Sequence, residues 1–203
     1  GDRAFSAGAD LSGTGSGMQQ GQWGARPNNI NDSVTTRGMG ITQPALDIYN
    51  MEKPSFAAVN GVAAGGGLGL VLACDFRIAS EKARFCDVFV RRGMVMDYGV
   101  SWHLPRMVGM SKALELALTG DIIDAREAER IGLVNKVVPP EKLMEATREM
   151  AGRMAKGPPI AQSLLKRELR RSLENSLQMQ MAFEGYCQGQ ATQTEDFQEG
   201  VRS

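Results

Sequence analysis

The chain has 203 residues, of which 42% are hydrophobic and 23% charged, and Lys plus Arg equal Asp plus Glu at 23 each. This composition is typical of a globular protein with a sizeable core, and the balanced charge gives no indication of nucleic-acid binding. The longest apolar stretch is far shorter than the roughly 20 residues that a membrane-spanning helix needs. We therefore expect a globular protein whose partners are neither nucleic acid nor membrane.

The chain has three widely spaced cysteines and no CxxC pair. An odd number of cysteines without such a pair favours reduced thiols and hence a cytoplasmic location. No spacing of His and Cys suits a metal site. The chain begins without Met in the strand-like AFSAG and stops in a helix-like segment, so we expect both ends to be truncated.

Strands and helices are predicted to alternate up to about residue 139. Residues 3–6 end a strand, and residues 12–45 are a long polar loop with a helix near 36–50. An α/β core with parallel crossovers is indicated by a strand at 54–59, a helix at 65–73, and strands at 75–80 and 84–87. Helices are also predicted at 98–109, 111–120 and 124–132, and a strand at 133–138. Ser111 and Asp124 are the expected N-caps of the second and third of these helices, and Gly120 and Gly132 are expected to end them.

From residue 140 onward the pattern is helical, with helices predicted at 140–155, 158–175 and 176–190. We therefore divide the chain into an α/β core at 1–139 and a helical region at 140–203. Apolar residues near helical spacing predict that this region packs on a neighbour, either the core or another subunit. They are Leu164, Leu165, Leu169, Leu173 and Leu177.

Residues 60–70, NGVAAGGGLGL, place three consecutive glycines where a strand turns into a helix. The glycines could serve close packing of the helix on a sheet. The glycines do not match the dinucleotide-binding pattern GxGxxG, because Leu70 occupies the position of the third glycine. The chain also lacks the GKS or GKT of a phosphate-binding loop. The third interpretation, which we favour, is a backbone site for a developing negative charge: helix N-termini carry unpaired N–H groups, and glycines allow a ligand to approach them.

A second small-residue turn, SAGAD at residues 6–10, follows the first strand. Four segments, the first of which contains this turn, resemble the crotonase superfamily of enoyl-CoA hydratases and isomerases. They are AFSAGADL, KPSFAAVNGVAAGGGLGLVLACDFRIAS, ARF and LPRMVGMSKALELALTGDIIDAREAERIGLVNKVVP. The resemblance runs from the first residue to about residue 145, interrupted by the long loop.

The resemblance implies a spiral of ββα units with a helical C-terminal oligomerisation region that forms homotrimers, often paired into hexamers. It also implies an acyl-CoA substrate, of which coenzyme A is a part, and no separate cofactor. The thioester oxygen is expected between the N–H groups of Ala9 and Gly66. Further residues are expected to line the substrate: Ala7, Asp10, Leu11, Val62, Ala64, Gly65, Gly69 and Phe89.

The sequence departs from the hydratases of this family at both catalytic glutamates. Those glutamates fall at the positions occupied here by Gly69 and Phe89, so the two-glutamate activation of water is not expected. The segment RRGMVMDYGVSWHLPR looks most like the isomerase branch of this family. In that branch an aspartate at the position of Asp97 is the catalytic acid/base. Apolar neighbours such as Met96 would raise its pKa and strengthen it as a base.

Alternatives remain for these residues. Asp97 precedes a predicted helix, and it could cap that helix instead of acting as a base. Asp87 could assist at the site, whereas His103 lies inside a helix and is expected to be structural.

The function that we predict is proton transfer by Asp97 on an acyl-CoA whose enolate is held by backbone N–H groups. One alternative is a hydratase that uses another base. The other is a protein that binds acyl-CoA without chemistry, because both hydratase glutamates are missing.

Overall fold

The computed structural model describes residues 4–6 and 42–202. They pack into two compact units. The first contains the described residues up to Asn50 together with Ser55–Thr147, and the second contains Met51–Pro54 and the residues from Arg148 onward. The domain division after residue 139 rests on the sequence alone and stays a prediction.

The described residues form seven strands and nine α-helices. The strands are β1 (Ala4–Ser6), β2 (Phe56–Val59), β3 (Val62–Ala64), β4 (Phe76–Ser80), β5 (Arg84–Cys86), β6 (Ile122–Asp124) and β7 (Lys136–Val138). The helices are α1 (Gln43–Asn50), α2 (Gly66–Ala73), α3 (Val100–Val108), α4 (Met110–Thr119), α5 (Ala125–Arg130), α6 (Leu143–Ala155), α7 (Pro159–Arg171), α8 (Leu177–Ala191) and α9 (Glu195–Arg202). Short 3₁₀ turns occupy Val90–Arg92 and Pro140–Lys142.

The strands form two sheets, in the orders β1-β3-β5-β6 and β2-β4-β7. All neighbours are parallel except β5 and β6, which are antiparallel. Parallel neighbours need a crossover connection, and α2 supplies it between the pair β2, β3 and the pair β4, β5. Because each pair contributes one strand to each sheet, the chain advances in ββα units, as the resemblance implies.

Helix α2 lies in the core of the first unit. It is apolar on every side, which is typical of a fully buried helix, and Leu68, Val71 and Leu72 are buried. Val59 and Phe85 from the two sheets complete the centre of this core. Burial of each such side chain contributes about 1.5–3 kcal/mol, so the core holds the start of α2 in a defined position.

Two strands, the last helix (α9) and one cap differ from the sequence-based expectation. β3 and β6 have only three residues each, too few for an alternating pattern to stand out. Ser111 does not cap α4, which begins one residue earlier after Gly109. Asp124 does cap its helix, α5, because its carboxylate accepts a hydrogen bond of 2.8 Å from the Glu127 N–H, and Gly120 ends α4 in the left-handed conformation as predicted.

The second unit consists of the C-terminal helices and the short segment Met51–Pro54. An ion pair joins Arg167 on α7 to Glu52, and the Lys166 ammonium donates to the Lys53 carbonyl at 3.0 Å. Between residues 42 and 202, no helix combines the length and the apolar character required to cross a membrane.

Candidate active site

The glycine run forms a tight turn between β3 and α2. Gly65 has a φ of 54°, a left-handed value that favours glycine, and its N–H donates to the Cys86 carbonyl at 3.3 Å. α2 begins at Gly66, and its first intrahelical bond runs from the Gly69 N–H to the Gly65 carbonyl. The N–H groups at the start of α2 precede that bond, so the helix presents donors and a partial positive charge there.

Gly67 brings the end of β1 against this turn. A Cβ on Gly67 would lie 2.4 Å from the Ser6 carbonyl oxygen and 2.6 Å from the Ser6 Cβ. Only glycine permits this approach, because real Cβ atoms do not come so close to another atom. The last residue of β1 therefore lies beside the first turn of α2.

Tyr98 covers the same turn from the other side. A Cβ on Gly66 would lie 3.0 Å from the Tyr98 ring, and a Cβ on Gly69 would lie 2.3 Å from the Tyr98 Cβ and 2.9 Å from its carbonyl oxygen. The space next to Gly69, where the resemblance predicts a glutamate in hydratases, is thus filled by the backbone and Cβ of Tyr98. The chain has no room for a side chain there.

Tyr98 itself adopts a strained backbone conformation. Its φ is 50°, the only positive value among the described non-glycine residues, and Gly99 follows with a φ of 74°. The Asp97 carbonyl accepts the Val100 N–H at 3.0 Å, so residues 97–100 form a turn with two left-handed central residues. Left-handed geometry costs a residue other than glycine about 1–2 kcal/mol, and such strain is concentrated at functional sites.

Asp97 lies at the first position of this turn and does not cap α3. The residue that precedes α3 is Gly99, and no side chain caps that helix. The Asp97 Oδ1 is buried without a hydrogen-bond partner in the described part of the chain. Burial raises the pKa of the Asp97 carboxyl above its ordinary value, and its own backbone N–H opposes the increase. Asp97 is therefore available as a base.

Asp87 follows β5 directly and is only 3% exposed. Neither of its carboxyl oxygens has a partner with hydrogen-bond geometry among the residues described. Burial raises the pKa of Asp87 to about 6, the Phe89 N–H nearby opposes this increase, and the negative charge of Asp97 adds to it. Burial is therefore the main reason why Asp87 holds its proton more tightly than an exposed aspartate.

Phe89, where the resemblance predicts a second glutamate in hydratases, lies beside the glycine turn. A Cβ on Gly65 would lie 3.7 Å from the Phe89 Cζ, and the Phe89 side chain is buried. An apolar ring therefore packs beside the glycine turn at this position. The structure brings together Gly65, Gly66, Gly69, Phe89 and the Asp97–Tyr98 turn.

The other predicted site residues lie on β3 or outside the described residues. Val62 is at the far end of β3, partly exposed, while Ala64 directly precedes Gly65. Their contact with substrate stays a prediction. Four predicted residues lie outside the described residues: Ala7, Ala9, Asp10 and Leu11.

Sequence reasoning did not identify Tyr98 as a site residue. The signal that was available is the DYG sequence, in which an aromatic residue lies between an acid and a glycine, at a turn.

His103 is buried, and its ring packs against Trp102 and Tyr49 with centroid distances of 4.8 and 5.5 Å. In the part of the chain that is described, no group of His, Cys, Asp and Glu residues could hold a metal ion.

Comparison with known proteins identifies the family. A family model described as enoyl-CoA hydratase/isomerase matches residues 1–203. The crotonyl-CoA hydratase of Syntrophomonas wolfei is 36% identical over 202 residues, which are 99% of this chain and 73% of that protein. The 1,2-epoxyphenylacetyl-CoA isomerase of Escherichia coli K12 is 34% identical over 206 residues, covering 94% of this chain and 75% of that protein.

The fold comparison agrees with the sequence comparison. The crystal structure of an enoyl-CoA hydratase from Bacillus anthracis superposes with a TM-score of 0.87 at 34% identity, covering 100% of this chain and 74% of that one. The chain spans 63% of the length of a further curated relative. Because the family model matches the whole chain and the fold agrees, this chain belongs to the enoyl-CoA hydratase/isomerase family of the crotonase superfamily.

Proposed function

We propose that this chain acts on an acyl-CoA thioester and moves a proton between two of its carbons, with Asp97 as the acid/base. The observation that carries the proposal is the burial of the Asp97 carboxylate. Its Oδ1 is buried without a hydrogen-bond partner among the described residues, and the next residue, Tyr98, covers the glycine turn at the start of α2. A base is thus held beside backbone donors.

The reaction follows from these groups. The Asp97 carboxylate takes a proton from the acidic carbon next to the thioester, and the electron pair of the broken C–H bond forms an enolate. The enolate oxygen accepts hydrogen bonds from the Gly66 N–H and, by the family resemblance, from the Ala9 N–H. The Asp97 carboxyl then returns the proton to a different carbon, so that the double bond moves. One such donor contributes about 3 kcal/mol to transition-state stabilisation.

The two-glutamate route to hydration is poorly supported here. Gly69 has no space for a side chain beside Tyr98, and Phe89 supplies only an apolar ring. Hydration through another base is the second candidate, and it is favoured by the names of most relatives, among them the crotonyl-CoA hydratase. The isomerase proposal is favoured by the relative named as an isomerase. Binding of acyl-CoA without chemistry is the third candidate.

The three candidates differ in what they do to simple enoyl thioesters in deuterated water. We expect the wild-type protein to convert 3-enoyl-CoA to 2-enoyl-CoA and to exchange hydrogen for deuterium at C2 and C4, measured by mass spectrometry. Formation of 3-hydroxyacyl-CoA from 2-enoyl-CoA would indicate the hydratase instead. CoA-ester binding in a calorimeter without exchange or water addition would indicate the non-catalytic protein.

We also propose that the chain forms a homotrimer or hexamer in the cytoplasm and needs no cofactor other than the coenzyme A of its substrate. Support for self-association comes from leucines of the second unit, which are 55–77% exposed: Leu165, Leu169, Leu173 and Leu177. Apolar residues of this kind typically mark interaction surfaces. Analytical ultracentrifugation is expected to give three or six times the chain mass, and a monomer at micromolar concentration would contradict the proposal.

A further inference from the structure

The side chain of Tyr98 lies lengthwise along the first turn of α2. At one end, a Cβ on Gly69 would lie 2.3 Å from the Tyr98 Cβ. At the other end, a Cβ on Gly66 would lie 3.0 Å from the Tyr98 Cε2 and 3.3 Å from its Cζ. Gly66 and Gly69 are three residues apart and therefore share one face of the helix. The two glycines thus leave a groove on α2 that the Tyr98 side chain fills.

The direction of this side chain brings its hydroxyl to the N-terminal end of α2. Gly66 is the first residue of α2, and it lies about 4.5 Å nearer the N-terminus than Gly69, because a helix rises about 1.5 Å per residue. The Tyr98 ring extends from the level of Gly69 to that of Gly66, and its hydroxyl is bonded to Cζ, the ring atom farthest from Cβ. A helical Cα–Cβ bond also tilts toward the N-terminus, so the ring atoms around the Gly66 Cβ position lie toward that end. The hydroxyl therefore lies at or beyond the level of Gly66, beside the first N–H groups of α2.

The groove is closed at its Gly69 end and accessible at its Gly66 end. Gly69 is buried, whereas Gly66 and Tyr98 are both partly exposed. The left-handed φ of 50° at Tyr98 and the contact with Gly69 fix the Cβ end of the side chain. The hydroxyl is a hydrogen-bond donor. A side-chain donor thus lies beside the backbone donors at the end of the helix that a ligand can reach.

We propose that Tyr98 is a further catalytic residue, whose hydroxyl donates a hydrogen bond to the thioester oxygen beside the Gly66 N–H. This inference rests on the proposed function, which places an acyl-CoA thioester at the start of α2. As Asp97 removes the proton from carbon, negative charge moves onto the thioester oxygen, and a hydrogen bond to a charged acceptor is stronger. The phenol keeps its own proton, so Tyr98 stabilises the enolate while Asp97 moves the proton.

Infrared spectroscopy tests the hydrogen bond without turnover. The probe is butyryl-CoA labelled with ¹³C at the thioester carbonyl, which has no double bond to move. We expect the wild type to lower the carbonyl stretching frequency of the bound probe, and Tyr98→Phe to lower it less. Binding should weaken by no more than about tenfold, the effect of one neutral hydrogen bond. Equal frequencies in the two proteins, or no lowering in the wild type, would overturn the inference.

The kinetic test compares deuterium exchange by Tyr98→Phe with that of the wild type. We expect a rate about 10²-fold lower at saturating thioester with little change in KM, because the donor acts mainly on charge that develops in the transition state. Phenylalanine keeps the ring that packs against Gly66 and Gly69. A role limited to filling the groove would therefore leave the rate unchanged, and that result would contradict the inference.

Tyr186→Phe on α8 is the matched control for the loss of a phenol hydroxyl. Tyr186 is 61% exposed, and its hydroxyl accepts a hydrogen bond of 2.6 Å from the Gln190 side chain. This variant should match the wild type in both the infrared and the exchange assays. Circular dichroism and thermal unfolding of each variant establish that it is folded.

The two assays separate the inference from the proposed function. If Tyr98→Phe changes the carbonyl frequency but the wild type exchanges no deuterium, the hydrogen bond from Tyr98 stands and the proposed proton transfer fails. If exchange occurs and depends on Asp97 while Tyr98→Phe behaves as the wild type in both assays, the proposed function holds and the inference fails.

Discussion

Asp97→Asn is expected to lower the rate of deuterium exchange by about 10²–10⁴-fold, the range typical of a lost general acid/base. An amide cannot take a proton from carbon near neutral pH, whereas its size and shape match those of the carboxylate. The backbone donors at the start of α2 are unchanged, so the affinity for a CoA thioester should stay within about threefold of the wild type. Exchange is followed by mass spectrometry and binding by calorimetry.

The specificity of this effect is checked with the exposed acid Asp121. Asp121→Asn removes the same charge at a surface ion pair, for which a stability change below about 1 kcal/mol is expected, and its exchange rate should equal that of the wild type. If Asp97→Asn exchanged deuterium as fast as Asp121→Asn, the base would have to be another group and Asp97 would have no role in proton transfer.

The second large effect is expected at Gly69. Gly69→Ala should lower the free energy of unfolding by about 1–3 kcal/mol, because the new Cβ would lie 2.3 Å from the Tyr98 Cβ and 2.9 Å from its carbonyl oxygen. Relief of this clash requires the strained Tyr98 turn to move, and Asp97 moves with it. We therefore expect slower exchange as well as lower stability, measured by urea unfolding and by the deuterium assay.

Gly152→Ala in α6 is the matched control, because it places the same Cβ inside a helix with no atom within 4 Å. It should stabilise the protein by up to about 1 kcal/mol through helix propensity alone. Gly69→Glu tests whether Tyr98 closes this position. Although the resemblance predicts a glutamate here in hydratases, the variant should not add water to 2-enoyl-CoA. Stable, hydrating Gly69→Glu protein would show that Tyr98 does not close this position.

The sequence by itself was sufficient for the family and for much of the architecture. Motifs such as AGGGLGL and CDFRIAS lie at the structural junctions of the ββα units. Helix caps formed by nearby residues were also easy to predict. Asp124 and Gly120 are good examples, because an N-cap carboxylate and a left-handed glycine act within a few residues of their own position. Asp97 was identified by its place in a family pattern rather than by any local rule.

The tertiary structure determined features that no local sequence pattern could predict. Short strands such as β3 and β6 exist because neighbouring strands pair with them, and three residues show no period of their own. The closure of Gly69 by Tyr98 joins residues 29 positions apart, and Asp87, which is 3% exposed, lines a pocket with residues as distant in sequence as Leu68 and Leu133. The resemblance predicts that both hydratase glutamates are replaced here. Only packing shows that Tyr98 fills the space next to Gly69 and that carboxyl oxygens of Asp87 and Asp97 are buried without a partner among the described residues, because desolvation and steric exclusion arise from atoms brought together by the fold.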